Sequence, residues 1–289
     1  MSNNNSKSYL MLISSMLIFG TIGIFRRYIP LSSGMLAFSR GLMGGVCLLA
    51  FVLISGRKLE KIAGKKFWLL ALTGAIMGLN WMCLFEAYNY TEVSTATMCY
   101  YMQPTIVILL SPLVFREKLT AKKLLCAVTA IIGMLFVSGV IEGGGIRVQD
   151  LRGIFFGLAA AALYSAVVIM NKKVQISDDY EKTIIQLVSA AAVLIPYLLL
   201  TGNFSSINLS STALVMVLIV GVVHTGIAYA LYFGSLNGLK AQSVAVLSYI
   251  DPVFALVLSA AVLGETLSFL GIIGAVMVIG SAIISELHA

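Results

Sequence analysis

Four ionisable side chains, Arg40, Glu86, His224 and Asp251, stand inside long apolar runs of the chain. A charge at bilayer depth costs several kcal/mol unless it is paired or wetted, so each demands a reason. Asp251 precedes Pro252, which lacks an N–H and frees the carbonyl of Ser248. A loosened turn beside a carboxylate suits a cation, a proton or an organic ammonium; a protonated or helix-bridging carboxyl is the architectural alternative. An unperturbed imidazole titrates near physiological pH, so His224 could answer a proton gradient, although a lone histidine on an apolar helix is more often a packing residue. Arg40 and Glu86 fall at similar depth in neighbouring runs. An ion pair between them is expected, with binding of a carboxylate by Arg40 as the second reading, and Arg26 and Arg27 as competitors for Glu86. His224, Asp251 and Glu86 are the candidate proton-handling groups.

Aromatic residues gather at the same levels. Trp81, Phe85 and Tyr88 recur at helical spacing, as do Thr225, Tyr229 and Tyr232, while Tyr100, Tyr101 and Tyr249 flank Pro104 and Pro252. Such a stripe is usually core. Tyrosine hydroxyls in lipid need partners, however, so several at mid-depth point to a wet cavity. The expected binding set is Asp251, Gln103, Tyr249, Tyr100, Tyr101, Asn80, Trp81, Tyr229 and Arg40, with Pro104 and Pro252 as hinges. An ammonium would meet a carboxylate and aromatic faces there.

The elements that must hold these residues are membrane helices. Of 289 residues 60% are hydrophobic and 11% charged, against roughly half and a quarter in a soluble domain. The mean hydropathy of +1.00 is spread along the whole length. An all-α integral membrane protein follows, with no room for a soluble domain. A spanning helix takes about 20 apolar residues, and ten segments qualify: 9–29, 33–55, 67–89, 92–115, 120–141, 151–172, 182–201, 211–236, 240–263 and 268–286. The apolar run from Tyr9 is too long for a signal-peptide core, so it reads as an uncleaved first helix.

Charge sets the orientation. With the N-terminus in the cytoplasm, Lys7, Arg57, Lys58, Lys61, Lys65, Lys66, Arg116, Lys118, Lys122, Lys123, Lys172, Lys173, Lys182 and Lys240 share that side, and only Arg26, Arg27, Arg147 and Arg152 lie near the other. Both termini are therefore expected in the cytoplasm. The net charge of +7 reads as orientation rather than as a nucleic-acid surface. Cys47, Cys83, Cys99 and Cys126 fall in apolar segments, which speaks against a disulfide framework or a cysteine metal site.

Sliding the chain on itself by 148 residues aligns the two halves: Gly78 meets Gly226, Phe85 meets Phe233, Asn89 meets Asn237, Tyr101 meets Tyr249, Pro104 meets Pro252, Ser111 meets Ser259, Glu117 meets Glu265 and Leu119 meets Leu267. Two units are expected, residues 1–148 and 149–289. Five helices per unit is odd, so the second copy enters from the opposite side and the repeats are inverted. Such a pair can open a central site to either side in turn. Gly74 with Gly78, and Gly153 with Gly157, are small-x-x-x-small pairs for close helix contact. Glu117 and Glu265 read as loop and cap residues before the capping Thr120 and Ser268.

With Arg40 in LAFSRGLMGG, NYTEVSTATMCYYMQPTIVILLSPLVFREKLT across the fourth span and NGLKAQSVAVLSYIDPVFALVLSAAVLGETLS across the ninth, the chain resembles the EamA-type transporters of the drug/metabolite transporter superfamily over nearly its full length. The resemblance implies ten helices around a central cavity, and transport of amino acids and related metabolites. Gln103 and Asp251, just before the paired prolines, depart from a purely apolar version of the pattern. No H-E-x-x-H, G-x-S-x-G, metal-spaced cluster or P-loop is present in the sequence, so the expectation is a gradient-driven carrier without a cofactor. Its expected setting is the plasma membrane, as a monomer or weak homodimer with a small-molecule substrate and protons as an open partner. An organic-cation or drug exporter is the alternative reading; a membrane enzyme, lipid scramblase, receptor or assembly subunit ranks lower.

Overall fold

In a computed structural model the described residues are 2–57, 62–115, 120–138, 141, 148–173, 179–202, 210–236, 239, 244, 247–265 and 267–286. They are helical almost throughout, and no strand occurs among them. Expectations that fell on Lys58, Lys61, Arg116, Glu117, Lys118, Leu119, Arg147, Asn237 and Lys240 lie outside the described residues.

Among the described residues the helices succeed one another in ten stretches in the order of the expected spans, the ninth running from Ile250. They are α1 (Ser2–Gly20) with α2 (Ile22–Arg27), α3 (Ser33–Ile54), α4 (Lys65–Tyr90), α5 (Val93–Tyr100) with α6 (Gln103–Phe115), and α7 (Ala121–Val137). Then come α8 (Val148–Lys173), α9 (Asp179–Leu200), α10 (Ser211–Leu218) running through a π-helical stretch (Ile219–Ile227) into α11 (Ala228–Leu236), α12 (Ile250–Leu263) and α13 (Phe269–Glu286). Seven of the stretches are long and apolar enough to cross a membrane, and α12 and α13 are shorter apolar helices. Helices close their own backbone hydrogen bonds, which lipid cannot do for them. Large apolar side chains such as Ile54, Trp68, Leu113, Leu200 and Phe269 face outward, as they should against lipid tails.

Serine and threonine start several helices: Ser32, Thr120, Ser210 and Ser268 each accept a backbone N–H from three residues on. Helix α12 ends differently. Gly264 takes a left-handed conformation with φ 69°, and Glu265 N–H closes back on Ser259 O at 3.2 Å, the wrap that lets glycine end a helix.

The fourth and ninth helices are interrupted beside the two prolines expected to act as hinges. Turns at Tyr101–Met102 and at Tyr249 interrupt the helical ladder just before Gln103-Pro104 and Asp251-Pro252. The cause is the proline, which cannot donate to the preceding turn. Equivalent breaks in equivalent places carry the 148-residue register into the backbone.

Glycine sets how near the helices come. A Cβ on Gly78 would stand 2.5 Å from Ala190 O, and one on Gly74 would strike the Gln186 backbone, so α4 and α9 touch backbone to backbone. Helices α7 and α13 meet likewise at Gly133, whose Cβ would lie 2.7 Å from Gly274 O. Gly153 and Gly157 admit Thr91 and Cys99 in the same way, with Cβ approaches of 2.6 and 2.7 Å. The expected close contacts at both small-residue pairs are present.

Candidate functional site

Two neighbouring cavities lie where the broken helices meet. The larger, about 490 Å³, is bounded at one end by Asn171, Lys182 and Gln186 and reaches Tyr101, Gln103 and Asp251. The smaller, about 160 Å³, continues from those residues toward Arg40, Trp81, Tyr88 and Tyr100. Phe19, Tyr101, Gln103, Tyr164, Tyr229 and Asp251 line both. The two voids are thus halves of one space, with Asp251 at their junction.

The helix breaks create this geometry. Without the turn at Tyr101–Met102, Tyr101 and Gln103 would continue the regular helical screw. With it, Tyr101 Oη donates to Asp251 Oδ2 at 2.6 Å, and its ring lies 6.3 Å from that of its repeat partner Tyr249. A carboxylate in such a place needs donors, and a tyrosine supplies one. Tyr100 stacks on Tyr164 at 5.5 Å, extending the aromatic wall. Pro104 lines the larger cavity, whereas Pro252 is buried in the packing.

Arg40 is 6% exposed, and its guanidinium carbon stands 4.3 Å over the Trp81 ring, a cation–π arrangement. Its Nε donates to Thr225 Oγ1 at 2.9 Å. Thr225 reaches this position from the π-helical stretch, where its hydroxyl donates to Val220 O at 3.0 Å. Gly44 makes room for it: a Cβ there would be 2.6 Å from Thr225 Cβ. A π-helix sets its hydrogen-bond partners five positions apart and re-aims side chains, and here it turns Thr225 onto α3.

The expected Arg40–Glu86 pair does not form. Glu86 Oε2 accepts from Ser33 Oγ at 2.5 Å and from Asn89 Nδ2 at 3.0 Å, in a network that Arg26 joins through Asn89 Oδ1 at 2.9 Å. Glu86 therefore has nearer donors at its own helix end, and Arg40 points instead into the cavity. Asn80 is also placed differently. It is fully buried with Nδ2 donating to Ala160 O at 2.6 Å, and it lines neither cavity. His224 does not reach Asp251. Its Nε2 pairs with Thr21 Oγ1 at 2.6 Å and its Nδ1 with Ile219 O at 3.3 Å, and Phe25 packs edge-on at 4.8 Å. Those contacts account for it as a satisfied packing group away from both cavities.

Near Arg26 and Arg27, contacts join segments distant in the sequence. Arg27 Nη2 lies 3.0 Å from Glu265 Oε1 and 3.2 Å from Thr91 O. Glu265 Oε2 in turn accepts from Ser94 N at 3.2 Å, capping the start of α5. The glycine turn at 264 aims this carboxylate, which does more than the loop or cap role expected of it. Partial burial, and then the neighbouring Glu265, hold the Glu92 carboxyl above the ordinary glutamate value.

Some lining residues had no part in the expected site. Tyr164 sits alone in an alanine-rich run, Asn171 and Gln186 entered no expectation, and Lys182 counted only toward orientation. The isolated tyrosine was the one legible signal. Lys182 pairs with Asp179, and Gln186 Nε2 donates to Asn171 Oδ1 at 2.7 Å, so this end is polar and already hydrogen-bonded.

What the space can do is hold a small polar molecule between a carboxylate and a guanidinium among aromatic rings. Known proteins agree with a carrier. The chain is 29% identical over 278 residues to an uncharacterized transporter of Bacillus subtilis, YxxF, covering 96% of this chain and 88% of that one. It is 29% identical over 201 residues, 66% of each, to a probable amino-acid metabolite efflux pump of Salmonella typhimurium. A solved crystal structure superposes with a TM-score of 0.68 over 98% of this chain and 97% of its own, at 19% identity, which speaks for the fold alone. The model of the EamA-like transporter family matches residues 6–139 and again 151–286, one match to each half. With a twice-matched chain, helices fit to cross a membrane and a shared internal space, this protein belongs to the EamA-like transporter family and is a multi-pass membrane transporter, not an enzyme.

Proposed function

We propose that the chain is a secondary active transporter that carries a small amine-bearing metabolite, an amino acid or a related zwitterion or amine, by opening one central space to either side in turn. The observation that carries this reading is Asp251: it lines both cavities, and its Oδ2 is held by Tyr101 from the other half. A carboxylate in an aromatic-walled void attracts an ammonium by charge and by the ring faces together.

In this reading residues 1–148 and 149–289 are inverted halves, both termini are cytoplasmic, and the protein works in the plasma membrane as a monomer or weak homodimer. Arg27 and Glu265 then close the external side, while the larger cavity leads past Lys182 to the cytoplasm. The name of the Salmonella relative supports the amino-acid class. Any proton coupling falls to Asp251, since His224 and Glu86 are engaged elsewhere. The aromatic lining also favours a second reading, export of organic cations.

Counterflow in liposomes tests the proposal. Protein-dependent, saturable exchange of a labelled amino acid or amine, lost in Asp251→Asn, is the expected result. Exchange confined to sugars or nucleosides would overturn it.

A further inference from the structure

We infer that Arg40 is the carboxylate-binding residue of the central space, so that the substrate is a zwitterion spanning Arg40 and Asp251 and not a bare amine. The inference rests on the reading above that Asp251 receives the ammonium. Arg40 is 94% buried, being 6% exposed, yet among the described residues its one hydrogen bond is from Nε to Thr225. The buried polar side-chain atoms left without a partner are Arg26 Nε and Asn80 Oδ1. The terminal nitrogens of Arg40 are not among them, because the smaller cavity reaches Arg40. A guanidinium fixed by Nε and by the Trp81 face presents its remaining N–H fork into that void. Two parallel N–H donors match the two oxygens of a carboxylate.

Asp251 has the complementary shape. Tyr101 occupies Oδ2, and Oδ1 has no protein donor among the described residues while the side chain lines the same void. The two charges come from different halves, Arg40 from α3 and Asp251 from α12. Trp81, Tyr88, Tyr100 and Tyr164 stand around them, and the junction with the larger cavity leaves room for a side chain to extend past Tyr229. A bare amine would satisfy Asp251 and leave the Arg40 fork in that void without a counter-charge of its own, which is costly. Thr225 is the positioning residue: it holds Nε and thereby the direction of the fork.

The test measures binding to purified full-length protein for matched ligands: each of the common amino acids, the amine formed by its decarboxylation, and the hydroxy acid in which hydroxyl replaces the amine. Leucine, isoamylamine and 2-hydroxyisocaproate form one such set. For the best amino acid the wild type is expected to bind at least tenfold tighter than to its amine. Arg40→Gln should abolish that preference, with amino-acid affinity falling at least tenfold. Thr225→Val should reduce the preference by a smaller factor. An amine bound as tightly as its amino acid by the wild type overturns the inference without recourse to any variant, as does a preference that survives Arg40→Gln. If hydroxy acids bind in an Arg40-dependent way and neither amines nor amino acids do, the carboxylate role of Arg40 stands and the amine reading of Asp251 falls. If none of the three classes binds, both fall.

Discussion

Tyr101 and Asp251 are bonded at 2.6 Å across the junction of the two halves, and their repeat counterparts differ in kind: Tyr101 corresponds to an identical residue, Tyr249, whereas Asp251 corresponds to Gln103. Both residues line both cavities, so the bond joins the halves at the junction of the two voids. A charge-assisted hydrogen bond is worth about 1.5–3 kcal/mol. Tyr101→Phe should therefore lower thermal stability measurably in detergent and weaken substrate binding, because the freed carboxylate loses its orienting donor. Asp251→Asn keeps an acceptor for Tyr101, so it should fold normally and lose at least tenfold in affinity for an ammonium-bearing ligand.

Exchanging the two side chains tests the repeat itself. Gln103 and Asp251 line the same two cavities, so Asp251→Gln alone should stop transport. Adding Gln103→Asp should restore a fraction of it by returning a carboxylate to the same space from the opposite half. Liposome flux of the single and double variants decides, and no recovery in a stably folded double variant would mean that the two positions are not interchangeable.

The closure at Arg27 and Glu265 is partly exposed, with 37% and 9% side-chain accessibility. Exposed pairs contribute about 0.2–1 kcal/mol, and here the lost cap on α5 adds to the effect. Glu265→Gln should raise the labelling of a cysteine placed at Tyr88, in a cysteine-free background, by a membrane-impermeant reagent roughly two- to tenfold. Glu92 gives the pH sign. Its raised pKa means that its charged form opposes this arrangement, so closure should tighten as pH falls from neutral toward and through its folded value, which lies above the ordinary 4.5. In Glu92→Gln that part of the pH response should disappear.

His224 should prove dispensable for coupling. Its two ring nitrogens are taken by Thr21 and the Ile219 carbonyl, and it borders neither cavity. His224→Asn should cost stability, about 1–3 kcal/mol for the disturbed buried bonds, and leave the pH profile of transport unshifted. A shifted profile in a stably folded variant would assign it a proton.

Backbone contact between helices makes a sharper prediction than any charge. Gly78→Ala drives a methyl to 2.5 Å from Ala190 O and should destabilise by about 1–3 kcal/mol through overpacking. A Cβ on Gly280 meets nothing within 4 Å, so Gly280→Ala should be neutral or stabilising by up to about 1 kcal/mol. Thermal unfolding of the two variants side by side checks both.

The helix pattern was legible because apolar runs near membrane-spanning length recur along the whole chain, and the repeat because eight identical pairs share one offset. Asp251, Gln103, Tyr101 and Tyr249 were legible as a site for a related reason: a proline beside a polar residue in an apolar run both opens the helix and leaves groups there that lipid cannot solvate. The partner of Arg40 was not. Thr225 lies 185 residues away and faces α3 only because the helix widens to π geometry there, and the sequence IVGVVHTGI carries no mark of that widening. Depth alone suggested Glu86, but depth does not say which way a side chain turns. Lys182 and Gln186 escaped notice as lining residues because a polar residue at a helix end looks the same whether it borders solvent or a cavity mouth.

The glycine contacts of α4 with α9 and of α7 with α13 leave no side chain between the paired backbones. Sliding along such a seam would drive neighbouring side chains into a backbone wall, and packed interiors resist that. Tilting about the seam disturbs far less. In the transport cycle proposed above the two lines would serve as fulcrums, leaving the halves the freedom of a rocker rather than that of a piston.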